Sequence, residues 1–120
     1  MNRFSVVLAI TSACVVTPIV AAELSPKVPT EFQGRWNADL KNCGRGESRL
    51  EIRANTITFY ESSGPIRAIV TQGKNEMALI AELSGEEGKY LSLRHFKLSK
   101  DQKELTDVSG DSPFVRRRCP

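Results

Sequence analysis

Histidine is nearly absent from this chain. His95 is the only one, and tryptophan likewise occurs once, at Trp36. The short signatures that carry much enzyme chemistry are missing too. There is no Gly-x-Ser-x-Gly elbow, no His-Glu-x-x-His pair, no phosphate-binding glycine loop and no Cys-x-x-Cys. His95 stands alone in Tyr90-Leu91-Ser92-Leu93-Arg94-His95-Phe96, with little around it to complete a catalytic set, and reads as a structural or surface residue. Glu61, Glu86 and Glu87 could pair for carboxylate-only hydrolysis, but they sit in turn sequences, where acids are ordinarily solvated, and a barrel this small offers little room for a sugar cleft. The expectation is a protein that is not an enzyme and needs no cofactor. Cysteine is scarce, at Cys14, Cys43 and Cys119. Cys14 would leave with the signal peptide argued below, and the two remaining cysteines with one histidine do not make the four ligands of a structural zinc site, so no metal is expected.

Long apolar runs are also scarce. The one present, Phe4 to Val20, is interrupted by Pro18 and falls short of the ~20 residues a spanning helix wants. It follows Met1-Asn2-Arg3 and ends in Val20-Ala21-Ala22 before Glu23. A positive start, an apolar middle and small residues before the cut describe a secretory signal peptide, residues 1–22. The rival is a lipoprotein signal ending at Cys14. It would place Thr11 where such signals carry Leu, and the chain after Cys14 is still apolar. Cleavage after Ala22 predicts a periplasmic or secreted protein with no stable membrane insertion.

Cleavage removes Cys14 and leaves Cys43 and Cys119 as each other's partner in an oxidising compartment. A loop that long loses about 4 kcal/mol of unfolded-state entropy on the chain-entropy model. Cleavage also removes one base, Arg3, so the net charge of +3 falls by one. Near-neutral charge with no basic stripe argues against nucleic acid as a partner.

Residues 23–33 carry Pro26 and Pro29 and predict an extended lead-in. Residues 34–120 form one domain. Short alternating runs follow one another between turn residues: Arg49 to Arg53, Thr56 to Tyr60, Ile66 to Thr71, Met77 to Leu83, Lys89 to Leu98, Glu104 to Val108 and Phe114 to Cys119. Met77 to Leu83 has helix-compatible composition but strand-like flanks, and is read as strand. A turn of helix is expected only near Asn37 to Asn42. The fold class expected is all-β: an antiparallel up-and-down barrel or coiled meander of seven to eight strands with one disulfide. Leu50, Ile52, Ile57, Phe59, Ile66, Ala68, Val70, Leu79, Ala81, Leu91 and Leu93 are the residues available for its interior.

In such a meander successive turns fall at alternate ends. One end collects Ala54-Asn55, Gln72 to Asn75 and Ser99 to Lys103. The other collects Glu61 to Pro65, Ser84 to Gly88 and Ser109 to Pro113, richer in Ser, Gly and acid. The expected partner-binding residues lie there: Glu61, Ser62, Ser63, Ser84, Glu86, Glu87, Lys89, Tyr90 and Asp111. Function concentrates on loops held by a rigid scaffold, although Ser, Gly, Pro and Asp are also the ordinary makings of turns.

Phe32-Gln33-Gly34-Arg35-Trp36 resembles the Gly-x-Trp opening of lipocalins and related small barrels. That resemblance implies Trp36 as a barrel floor with an arginine of the last strand packed over it; Arg117 is the expected one. A guanidinium over an indole is favourable on its own terms. The same start followed by an early Cys is similar to small periplasmic inhibitors of secreted metalloproteases, whose N-terminal tail enters the protease. Ser84-Gly85-Glu86-Glu87-Gly88-Lys89-Tyr90 resembles the cleft-entering loop of bacterial lysozyme inhibitors. These resemblances imply a non-enzymatic binding module with a protein partner, as in an inhibitor of a secreted or envelope hydrolase. Two alternatives are a lipocalin-like carrier of a small apolar ligand and an envelope structural or stress protein.

Overall fold

The computed structural model describes residues 7–15 and 26–120. The expected cleavage point after Ala22 lies outside the described residues. Residues 7–15 have no helix or strand and are exposed. Among the described residues eight strands close into one antiparallel barrel in simple sequence order: β1 (Gly34–Asn37), β2 (Leu50–Ile52), β3 (Thr56–Phe59), β4 (Ser63–Gln72), β5 (Glu76–Gly85), β6 (Gly88–Leu98), β7 (Glu104–Asp107) and β8 (Phe114–Arg118). β8 returns to pair with β1, with Trp36 opposite Arg118 and Asn37 opposite Arg117. The connections are short, so each strand pairs with its predecessor, and closure removes most of the open edge.

No α-helix occurs among the described residues. The helical turn expected near Asn37 to Asn42 is a 3₁₀ turn, Leu40–Asn42, capped by the Asp39 side chain. The stretch read as either helix or strand is β5. It pairs on both sides, with β4 and with β6.

The core is one contiguous cluster that includes Trp36, Leu50, Ile52, Ile57, Met77, Leu79, Leu83, Phe96 and Leu105. The lead-in belongs to it. Val28 and Phe32 are buried in the same cluster, Phe32 sits in a 3₁₀ turn (Thr30–Phe32), and the Val28 amide donates to Ala54 O.

Four residues expected inside lie outside. Register shifts between Ile66 and Ala68, and a bulge reverses the side-chain parity beyond it. Ile69 therefore packs on the core while Ala68 and Val70 face solvent. On β6 the buried positions are Phe96 and Leu98, which leaves Leu91 and Leu93 on the outer face.

Cys43 and Cys119 form the expected disulfide, across a separation of 76 residues. It ties the long loop between β1 and β2 to the end of β8, the more useful because β1 has only four residues. The bridge is compatible with an oxidising compartment. Among the described residues no helix is long and apolar enough to cross a membrane.

Candidate functional site

The two ends of the barrel differ in kind. One is sealed. The Trp36 indole is fully buried and its Nε1 donates to Phe32 O at 3.1 Å. The Arg118 guanidinium stacks over the ring, 4.2 Å from its centroid. That same guanidinium donates to Glu31 O at 2.6 Å, Gln33 O at 2.7 Å and Gln102 O at 2.8 Å. It therefore pins the lead-in beneath the barrel. Gly34 makes the approach possible: its φ is +138°, and a Cβ there would stand 2.8 Å from Arg118 Nη1.

The arginine over the floor is thus Arg118, not the expected Arg117. Arg117 is exposed on the outer face and lies opposite Glu104. Val115, Arg117 and Cys119 do share a parity, but their face is outward, where Cys119 reaches the β1–β2 loop.

The other end is the mouth. The β1–β2, β3–β4, β5–β6 and β7–β8 connections all emerge there. The β3–β4 and β5–β6 turns come together around one cleft of about 240 Å³ lined by Glu61, Ser62, Gly85, Glu86, Glu87 and Tyr90. Ser63 and Ser84 face each other across β4 and β5, with Lys89 opposite Ser84 on β6. Gly64 allows this convergence, because a Cβ there would collide with the Glu82 carbonyl. Asp111 is exposed at the tip of the β7–β8 loop, away from that cleft.

The expected list missed the other half of the mouth. Arg94, Asp107, Gly110, Ser112, Phe114 and Arg116 line a second cleft of about 220 Å³. Arg94 stacks over Phe59 at 4.5 Å and Arg116 over Phe114 at 4.6 Å. Burial holds the Arg116 guanidinium below its ordinary pKa; Asp107 opposes that shift and Arg94 adds to it. An arginine so placed stays charged. Its Nε donates to Ser48 O at 2.8 Å, which joins the cleft to the β1–β2 loop.

Asn37 organises that loop. It is fully buried; its Nδ2 donates to Asn42 O and Arg45 O, and its Oδ1 accepts from Ser48 Oγ and the Asp39 amide. A side-chain amide with both its donor and acceptor sides engaged fixes a loop that has little apolar anchoring.

His95 lies on the outer face with Nε2 2.6 Å from Glu76 Oε1. Among the described residues no group of three or more His, Cys, Asp or Glu side chains is placed to hold a metal ion. No known family model, curated protein or solved structure matches the chain.

Proposed function

We propose that this protein is a non-catalytic exported binding module, periplasmic or secreted, that docks a protein partner through the mouth of its barrel. The action that suits it is inhibition of a secreted or envelope hydrolase. The observation that supports this reading is the convergence of the β3–β4 and β5–β6 turns on one acidic cleft, at the end opposite the sealed floor. Short turns on a closed, disulfide-tied barrel lose little conformational entropy when they bind. Serine and glycine allow close backbone approach, and the glutamates steer a basic surface toward the cleft. A carrier of an apolar ligand would need an apolar cavity, whereas the buried side chains here form one contiguous core.

A pull-down from envelope extract with wild type and with the Glu86→Lys, Glu87→Lys variant tests the reading. Inhibition assays against lysozyme and secreted metalloproteases run beside it. A partner retained by wild type and lost by the variant is the expected result. Equal retention by both removes these turns from the interface, and no partner with no inhibition leaves an envelope structural role.

A further inference from the structure

The hydrophobic pattern inverts at the mouth. β6 runs into it with Tyr90, Ser92 and Arg94 on the core-facing side, the parity of buried Phe96. Leu91 and Leu93 point outward and are 70% and 68% exposed. β8 does the same, with Arg116 inside at 7% exposure and Val115 outside at 46%. Between them β7 turns Asp107 inward. Folding stability alone favours apolar side chains over charged ones at these inward positions. Where a sequence breaks its own pattern, the polar groups are usually kept for a task.

The charges there are unbalanced. Among the described residues Asp107 is the one carboxylate that pairs with the two guanidiniums. Its Oδ2 accepts from Arg94 Nη1 at 3.4 Å, long for a charge-assisted bond. It stands 3.7 Å from Arg116 Nη1, beyond hydrogen-bond distance. Arg116 Nη1 is buried and has no hydrogen-bond partner among the described residues, a costly state for a charged donor. Glu47 lines the adjoining cleft with Arg116 but is exposed, and among the described residues it makes no ion pair with either arginine. One carboxylate is thus stretched between two cations in a half-buried cleft, and one positive charge is left over.

We infer that this cleft is a carboxylate-binding site, in which a ligand carboxylate takes Arg94 and frees Asp107 to close on Arg116. The bound state holds two guanidiniums and two carboxylates, so the surplus charge is neutralised and the orphan Nη1 gains its acceptor. A monoanion completes that balance; a phosphate, at close to two negative charges, overshoots it. Arg94 is the exposed member of the set, its side chain 31% accessible, and its rigid fork suits a planar carboxylate. The cleft, at about 220 Å³, has room for a small free acid or for the acidic end of something larger. Insofar as the ligand comes from a docked protein, the site rests on the reading above. The partner then offers a basic group to the glutamate cleft and an acidic one to this cleft.

The test is an NMR titration of the purified, disulfide-bonded protein at constant ionic strength. Acetate, a glutamate-containing peptide blocked at both ends, inorganic phosphate and chloride are the probes. Arginine Nε–H groups and the amides from Gly110 to Arg116 are followed. Saturable shifts at Arg94, Arg116 and this loop are expected with both carboxylates and not with chloride. Arg94→Gln should weaken them about ten-fold or more, Arg94→Lys should restore part of the loss, and Arg67→Gln on the outer face should change nothing. Non-saturating shifts, equal shifts with chloride, tighter binding of phosphate, or indifference to Arg94→Gln would each overturn the inference. A peptide that binds at least about ten-fold tighter than acetate assigns the carboxylate to a protein partner, and equal affinities assign it to a free acid. Because the titration contains no partner, carboxylate binding alongside a failed pull-down discards the docking reading and keeps the site.

Discussion

The Arg118 guanidinium lies 4.2 Å from the centroid of the Trp36 ring and hydrogen-bonds the backbone of Glu31, Gln33 and Gln102. One side chain thus covers the indole and fastens the lead-in. Trp36→Ala should cost about 3–5 kcal/mol, as large aromatic core deletions do. Arg118→Ala should also destabilise, because it leaves acceptors unpaired and uncovers the ring. Arg117→Ala, one residue earlier on the outer face, should stay within about 0.5 kcal/mol of wild type. Urea unfolding of the three variants checks the order. Iodide quenching of Trp36 fluorescence in the folded protein should be weak, and free quenching would contradict a buried floor.

The Cys43–Cys119 bridge closes a loop of 76 residues in separation. On the chain-entropy model its loss costs about 4 kcal/mol, a large fraction of the stability of a domain this small. Intact mass before and after reduction should differ by two hydrogens, and Cys43→Ser should lower the melting temperature. Two free thiols at Cys43 and Cys119 in protein isolated under non-reducing conditions would refute the pairing.

The barrel was largely legible in the sequence because its strands are short, alternate cleanly and end in turn residues. Leu50 and Ile52, then Ile57, show a period of two that only a half-buried strand satisfies. The bridge was legible from the expected export and the count of cysteines left by it. What was not legible shares one cause: a strand whose pattern does not declare its inner face. Phe114-Val115-Arg116-Arg117-Arg118 has no apolar alternation, so parity with Cys119 grouped the residues correctly but could not orient them. The bulge after Ile66 has no glycine or proline at Arg67 or Ala68 to announce it. On β6, Leu91 and Leu93 argue for one face and Phe96 and Leu98 for the other. That conflict hid Arg94, and with it half of the mouth. The acidic half was found because its residues lie in turns, where sequence order alone decides the end of the barrel.

The turn between β6 and β7 supplies a pH prediction. The Asp101 carboxylate accepts from Ser99 Oγ at 2.7 Å and from the Lys103 amide at 3.1 Å. The Ser99 bond, then the Lys103 bond, holds its pKa below the ordinary aspartate value. A depressed carboxylate contributes stability that is present above its unfolded pKa and lost as pH falls through the folded one. Carboxyl NMR should therefore give Asp101 a midpoint below that of an unperturbed aspartate. The melting temperatures of wild type and Asp101→Ala should converge as the pH drops through that range. A midpoint at or above the ordinary value would show that the turn does not hold the charged form.

The inverted face of β6 yields the sharpest comparison of single residues. Leu93 lies opposite Ile80 on the outer surface and is 68% exposed, whereas Phe96 is fully buried. A hydrophobicity reading alone would place both in the core and expect both changes to be damaging. The structure separates them. Leu93→Lys loses one exposed cross-strand contact, worth under about 1 kcal/mol, and removes apolar surface from solvent, so expression should hold or improve. Phe96→Ala opens a cavity between β5 and β7 and should cost about 3–5 kcal/mol. Measured side by side in urea, the two midpoints should lie far apart. If Leu93→Lys unfolded the protein, β6 would have the opposite parity. Arg94 and Ser92 would then face solvent, and the cationic cleft would lose one of its two guanidiniums.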